Sequence, residues 1–151
     1  MSDPAQHIPA ARSVDLVNER TQIEALEAEI TAQLEQHGYP RASLFAFRLA
    51  FEEALTNAFK HGHAEQPEET PVTVEYRIGG DHLRVTVEDR GPGFDPGDVP
   101  DPTLDENLTN PHGRGIMLMR AYMTRVTHNE RGNRIELYYE RPSGGPDRPQ
   151  R

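Results

Sequence analysis

The spacing of apolar residues changes near residue 70 of this chain, and that change constrains the fold more than any other feature. Before it, apolar residues recur every three or four positions, which is typical of amphipathic helices. After it, they alternate with polar residues, which is typical of strands that bury one face. Helices followed by hairpins predict a domain in which the helices pack on a sheet.

Two helices are predicted before the change. The first has apolar residues at helical spacing: Ile23, Leu26, Ile30 and Leu34. Thr21 and Glu24 are placed like a capping box at its start, and Gly38-Tyr-Pro40 ends it. Residues 14–17 upstream fit either an earlier start of this helix or a short strand. The second helix is predicted from about Ser43 to His61, with one apolar face: Leu44, Phe47, Phe51, Leu55 and Phe59.

Strands dominate the second half. The first predicted hairpin alternates about the turn Gly79-Gly80, and its inward residues are Val72, Val74, Tyr76, Ile78, Leu83, Val85 and Val87. A third helix is predicted from Gly115 to Met123. A closing hairpin turns at 131–133, with Val126, His128, Ile135, Leu137 and Tyr139 alternating. This order predicts a two-layer α/β sandwich over residues 13–140, and residues 1–12 and 141–151 are predicted to be disordered tails.

Composition excludes several classes of protein. The chain has 151 residues, a formal charge of −9 and no cysteine. Duplex binding needs a basic face, and disulfides or thiolate metal sites need cysteine. The N-terminus lacks the pattern of a secretion signal, and no apolar run is long enough to span a membrane. We therefore expect a soluble cytoplasmic protein that binds neither nucleic acid nor membrane.

Three polar residues lie opposite the apolar face of the second predicted helix. Glu53 and Asn57 are four residues apart and so stack on one face, and Lys60 falls within a sector of roughly 60° with them. A carboxylate, an amide oxygen and an ammonium group could together hold Mg²⁺ and phosphate while one group takes a proton. The alternative is an ordinary solvated helix face.

Asp89 follows the inward row of the first hairpin at the same period of two. Its side chain is therefore predicted to point toward the buried face, where a carboxylate needs a hydrogen-bond donor. The amino group of adenine is a suitable donor. Gly91 and Gly93 would let the backbone approach a flat ring closely. The alternative is a strand-ending Asp in a Gly-Pro turn.

Gly113-Arg114-Gly115 is predicted to lie directly before the third helix. Backbone amides at a helix start suit phosphate oxygens, and Arg114 could add charge. The preceding segment, 95–112, is long for a compact domain, and residues 95–109 contain five acids and no base. A lid that closes over nucleotide and a solvated acidic loop both fit this segment. His61 and His63 lack a third metal ligand at useful spacing.

Together these motifs resemble the GHKL ATPase/kinase superfamily, whose pattern is Glu-x-x-x-Asn, then Asp-x-Gly-x-Gly, then a lid closed by Gly-x-Gly. The similarity covers roughly residues 13–140 and is most specific in 49–62, 87–96 and 112–120. Within the superfamily the chain looks like the anti-sigma-factor serine kinases. The resemblance implies the Bergerat-type fold, with helices on one face of a mixed, mostly antiparallel sheet.

The resemblance also implies roles. Glu53 would be the general base for an acceptor serine, Asn57 would ligate Mg²⁺, and Asp89 would read adenine in ATP. The remaining nucleotide-site positions would shape the pocket or contact phosphate: Lys60, Arg90, Gly91, Gly93, Gly113, Arg114 and Gly115. The implied partners are a sigma factor and an anti-anti-sigma protein of the STAS type, and family analogy implies a homodimer.

Two positions depart from the family pattern. Kinase members often carry arginine two residues before the first lid glycine, where this chain has Pro111. Many relatives place threonine after the glycine of the last hairpin, where this chain has Asn133. The leading hypothesis is therefore an ATP-dependent serine/threonine kinase that acts as an anti-sigma factor. The alternatives are a nucleotide-gated binding module without phosphate transfer and, less favoured, a plain ATP hydrolase.

Overall fold

The computed structural model describes residues 11–62, 66–67, 69–91 and 111–142, without the side chains of 61–62 and 111–114. Within these ranges the elements are β1 (Arg12–Leu16), α1 (Arg20–Gln36), α2 (Arg41–Thr56), β2 (Val72–Ile78), β3 (His82–Glu88), α3 (Pro111–Tyr122), β4 (Arg125–His128) and β5 (Arg134–Glu140). A π-helical turn, Asn57–Gly62, continues α2. No described helix is long and apolar enough to cross a membrane.

The described strands form one five-stranded sheet in the order β1-β2-β3-β5-β4. Every pairing among them is antiparallel. The register places Val74 opposite Val87, and Val85 opposite Leu137, so the apolar rows of neighbouring strands share one face. The predicted two-layer α/β sandwich is confirmed, and the sheet predicted as mixed and mostly antiparallel is antiparallel throughout the described strands.

The helices cover that apolar face. Phe47 and Phe51 of α2 are fully buried and stack with ring centroids 5.2 Å apart. Ile30 of α1 and Met119 of α3 are also fully buried and complete the core on either side of α2. The apolar face predicted for the second helix is therefore the one that packs on the sheet.

The start of α1 differs from its prediction. Residues 12–16 form the edge strand β1 and not an earlier part of the helix. The cap residue of α1 is Glu19, without a side-chain cap hydrogen bond, so the predicted capping box of Thr21 and Glu24 is wrong. The physical reason is that Glu24 lies inside the helix, where it pairs with Arg20 at 3.3 Å.

Helix boundaries near the predicted site also differ. α2 begins at Arg41, two residues early, and its α-helical part stops at Thr56, since the chain then makes the π-helical turn. α3 begins at Pro111, four residues before the predicted start at Gly115. Proline suits a first helical position because its missing N–H would have no partner there. The sequence 113–115 therefore lies within the first turns of α3 and not before it.

Candidate functional site

Two consecutive carboxylates of α2 have different neighbours. Glu52 faces α1, where it accepts hydrogen bonds from the guanidinium of Arg20, one of them at 3.1 Å. Glu53 lies on the side that approaches α3 and is half-buried. Because neighbouring residues on a helix are separated by about 100°, one helix can use adjacent acids for separate purposes. Glu52 belongs to the contact between helices, and Glu53 is left to the predicted site.

Gly115 is a point of close approach between α3 and α2. A Cβ atom added to Gly115 would lie 2.9 Å from Oε2 of Glu53 and 3.4 Å from Oδ1 of Asn57. The first distance is shorter than van der Waals contact, so only glycine fits while Glu53 keeps this position. The structure thus brings Glu53, Asn57 and Gly115 together, across about 60 residues of sequence.

Asn57 marks the end of regular α-helix in this part of the chain. It has helical angles, φ −61° and ψ −43°, and the π-helical turn starts there. Such turns are rare and occur often at functional sites. Lys60 lies within the turn and is exposed. Because a π-helical turn holds more residues than an α-helical one, the helical spacing that grouped Lys60 with Glu53 does not apply to it.

Asp89 lies directly after β3 and is buried, with 9% of its surface exposed. Its Oδ1 accepts a hydrogen bond from the N–H of Gly91 at 2.8 Å. The sequence allowed two interpretations of Asp89, an inward-pointing carboxylate and a strand-ending residue in a turn. The structure shows both at once. A side chain that closes its own turn has one well-defined orientation, which suits a recognition residue.

Asn133, in the turn between β4 and β5, holds the backbone of Asp89. The Asp89 N–H donates to the carbonyl of Asn133 at 2.8 Å, and Nδ2 of Asn133 donates to the carbonyl of Asp89 at 3.2 Å. Nδ2 of Asn129 donates to Oδ1 of Asn133 at 2.9 Å, so the amide is itself fixed. The sequence identifies Asn133 only as a departure from a family pattern. The sequence signal for its role is the pair Asn129 and Asn133 beside Gly132. In the structure Gly132 has a φ of +75°.

A charged cluster supports α2 from the side of α1. Nη2 of Arg20 contacts Oε2 of Glu27 at 3.2 Å, in addition to its bonds with Glu52. Burial, helped by a hydrogen bond with Glu52, raises the pKa of Glu27 to about 7. The hydrogen bond from Arg20 lowers the pKa of Glu52. The cluster therefore holds an anionic Glu52 beside a Glu27 that takes up a proton easily.

Several predicted residues cannot be placed. Gly93, His63 and the acidic segment up to residue 110 lie outside the described residues. Gly113 and Arg114 belong to the α3 backbone, and the Arg114 side chain is likewise outside. In the part of the chain that the structure does describe, no three His, Cys, Asp or Glu side chains gather as a metal site.

Comparison with known proteins agrees with this arrangement of helices and sheet. The family model of the histidine kinase-like ATPase domain matches residues 16–139. The chain belongs to this family. The match includes the two parts of the candidate site, around Glu53 and around Asp89.

Curated relatives of this histidine kinase-like ATPase domain have related names. The serine-protein kinase RsbW of Listeria monocytogenes is 30% identical over 112 residues, which is 68% of this chain and 63% of the relative. An anti-sigma F factor of Clostridium perfringens is 28% identical over 140 residues, covering 79% of this chain and 89% of the relative. The chain thus spans just under two thirds of the Listeria kinase it matches.

A solved structure shares the fold. The crystal structure of the RsbU and RsbW domains of a Mycobacterium tuberculosis protein superimposes with a TM-score of 0.58 at 19% identity. The superposition covers 89% of this chain and 34% of the other. This similarity supports the architecture of the histidine kinase-like ATPase domain and not a particular substrate.

Proposed function

We propose that this chain is an ATP-dependent serine/threonine protein kinase and anti-sigma factor that phosphorylates an anti-anti-sigma protein. One observation carries the proposal: Gly115 packs directly against Glu53 and Asn57, so the first and last motifs form one site. The names of the two relatives, a serine-protein kinase and an anti-sigma factor, favour this function over others of the same family.

Glu53 is the proposed general base. It accepts the proton of the acceptor hydroxyl, while the hydroxyl oxygen bonds to the γ-phosphorus of ATP and the bond from that phosphorus to the bridging oxygen of ADP breaks. Its half-buried position between two helices fixes its orientation, and a positioned base contributes about 100- to 10,000-fold to such a step. The chemistry requires little of the protein beyond this positioning and charge stabilisation.

The donor atoms beside Glu53 suit Mg²⁺. Asn57 supplies an amide oxygen of the hard type that this ion prefers, and Gly115 leaves space beside it that a Cβ would fill. Mg²⁺, when bound with ATP, neutralises phosphate charge. We assign Asn57 as its protein ligand, and Gly113, Arg114 and Lys60 as neighbours of the phosphates.

Asp89 is the proposed adenine-reading residue. A buried carboxylate whose backbone is tied to Asn133 accepts a hydrogen bond from the adenine amino group in a fixed direction. Gly91, which is buried beside it, has no side chain that would obstruct the ring. The proposed partners are a sigma factor and a STAS-type anti-anti-sigma protein, in the cytoplasm, with the kinase as a homodimer.

The test is phosphate transfer from ATP to purified anti-anti-sigma proteins, with phosphoserine measured by mass spectrometry. Glu53→Gln is expected to lower the transfer rate about 100-fold and to change ATP affinity little. Glu52→Gln is the matched control, because residue 52 faces Arg20 instead and the amide oxygen of glutamine can still accept a hydrogen bond from it, so the rate should stay within about threefold. Equal rates for wild type and Glu53→Gln would refute the role of Glu53.

A second candidate is a nucleotide-gated binding module that transfers no phosphate. Pro111 favours it, since proline begins α3 where related kinases often place a charged arginine. The same assay separates the two candidates. ATP-dependent partner binding without any phosphoserine would support the module, and phosphoserine formed only with this protein present would eliminate it.

A further inference from the structure

Exposed aromatic and aliphatic side chains lie together on the helical layer. Among the described residues, the large apolar side chains that are exposed are Phe45 (58%), Leu118 (38%) and Tyr122 (37%). The rings of Phe45 and Tyr122 meet edge to face, with centroids 6.0 Å apart. Phe45 belongs to α2 and the other two to α3, so they form one patch across two helices. We call these three residues the apolar patch.

The apolar patch continues along the helices into the proposed catalytic site. Gly115 at the start of α3 contacts Glu53, and Tyr122 at its end contacts Phe45, so α2 and α3 run in opposite directions. Phe45 precedes Glu53 by eight residues, which is about 12 Å along a helix. Leu118 lies between the two contacts. One seam between α2 and α3 therefore has a catalytic end and an apolar end.

Positive charge borders the apolar end of this seam. Arg41 lies one turn before Phe45 and Arg48 lies three residues after it, and both are exposed on α2. The chain as a whole carries a formal charge of −9, so two arginines beside the patch stand out on an acidic protein, and the charge of Arg48 also acts on Glu27 and Glu52. Complementary charge selects partners and orients them as they approach. The fitting partner has an apolar centre with an acidic border.

We infer that the apolar patch docks the protein that receives the phosphate. This inference rests on the proposed kinase function. The fitting acceptor presents an apolar side chain, bordered by acidic residues, about 12 Å from its reactive hydroxyl, which then reaches Glu53. Aromatic residues that are exposed in a cluster are typical centres of protein interfaces. The patch sets the distance to the hydroxyl, and Glu53 carries out the chemistry.

The experiment compares Phe45→Ala and Tyr122→Ala with wild type, using purified STAS-type anti-anti-sigma proteins. Tyr122→Phe is the conservative control and Arg77→Ala, exposed on β2, is the distant control. Affinity for the acceptor is measured by calorimetry, and KM and kcat are measured for transfer. We expect both alanine variants to raise Kd and KM at least about 10-fold, with kcat and ADP affinity within about twofold. The controls should match wild type.

Each of the other possible results contradicts the docking surface, the kinase proposal or both. Unchanged acceptor affinity in both alanine variants overturns the docking surface and leaves the kinase proposal intact. Weakened affinity in a protein that never transfers phosphate keeps the patch as a partner-docking surface but overturns the kinase proposal and, with it, the assignment of that partner as a phosphate acceptor. Loss of a wild-type dimer with acceptor affinity unchanged makes the patch a contact between copies, which overturns the inference. If the wild type binds no anti-anti-sigma protein, both proposals fall.

Discussion

The two halves of the candidate site are held in place by different forces. At the end of the central strand β3, the Asp89 side chain accepts a hydrogen bond from Gly91, and the Asp89 backbone exchanges two hydrogen bonds with Asn133. Between the helices, Glu53 and Asn57 are positioned by contact with a residue that has no side chain. The Asp89 half of the site is held by several hydrogen bonds, so the loss of one bond weakens it only in part. The half that contains Glu53 and Asn57 is held by close packing, so the addition of one atom displaces its side chains.

Gly115→Ala should have the largest effect on the transfer rate, because it adds one atom to the half of the site that is held by close packing. The new Cβ displaces the Glu53 carboxylate, and a shift of about 1 Å can lower the transfer rate about 100-fold. The melting temperature should stay or rise, since alanine favours a helix over glycine by about 1 kcal/mol. Transfer assays and thermal denaturation measure the two effects.

Gly80→Ala is the matched control for that variant. A Cβ at Gly80 meets nothing within 4 Å, so activity should match wild type. If Gly115→Ala kept the full transfer rate, the close contact between Gly115 and Glu53 would not be required for activity.

Asp89→Asn should weaken ATP binding about 30-fold, as expected when a charged hydrogen-bond acceptor is lost. The amide oxygen can still accept from the Gly91 N–H, so the turn should persist and the fold should be unchanged. Calorimetry with ATP, with and without Mg²⁺, measures the affinity, and circular dichroism checks the fold. Wild-type affinity in the variant would remove Asp89 from the nucleotide site.

Asn133→Ala should have a smaller effect, because it removes one of the two bonds that fix the Asp89 backbone. The Nδ2 bond at 3.2 Å disappears, and the bond to the Asn133 carbonyl remains. We expect ATP affinity to fall about fivefold, equivalent to about 1 kcal/mol. Asn133→Thr keeps a side-chain hydrogen-bond donor, so its ATP affinity should fall less than that of Asn133→Ala. Identical affinities for all three proteins would show that this bond does not support recognition.

Glu27→Gln tests the polar support behind the helical half, and its effect is expected on stability and not on ATP binding. With a pKa of about 7 in the folded state against 4.5 ordinarily, Glu27 keeps a proton that the unfolded chain releases. Its contribution is complete below pH 4.5 and is lost as pH rises through about 7. The free energy of unfolding should therefore fall by up to about 1.4 kcal/mol per pH unit in this interval.

The measurement is urea denaturation at several values between pH 5 and pH 8. Glu27→Gln should flatten the pH dependence, whereas Glu24→Gln, which alters an exposed partner of the same arginine, should not. Equal slopes for wild type and Glu27→Gln would place the titrating group elsewhere.

Local spacing predicted those parts of the fold in which neighbours along the chain decide the structure. Alternation of Val72 and Val74 identified β2, and the phenylalanines identified the buried face of α2. The capping box at Thr21 failed because a distant ion-pair cluster engages Arg20 and Glu24. The start of α3 was missed because residues 111–114 contain no apolar period.

The site was predicted as a set of residues and not as a geometry. The motifs indicated Glu53, Asn57 and Asp89 but gave no distance between them. Which of Glu52 and Glu53 faces α3 depends on how α2 packs, and that is set by the core. The support of Asp89 by Asn133 links residues 44 positions apart through the backbone atoms of Asp89, which no side-chain pattern indicates.

The bonds between Arg20 and Glu52 add a contact with α1 to the core packing that sets the rotation of α2 about its own axis. Residues of a rigid helix turn together, so a rotation that moves Glu52 away from α1 also moves Glu53 relative to Gly115. The first helix, which contains none of the predicted site residues, therefore contributes to the separation between the proposed base and α3. Loosening Arg20 would act on the site through α2 and not through the sheet.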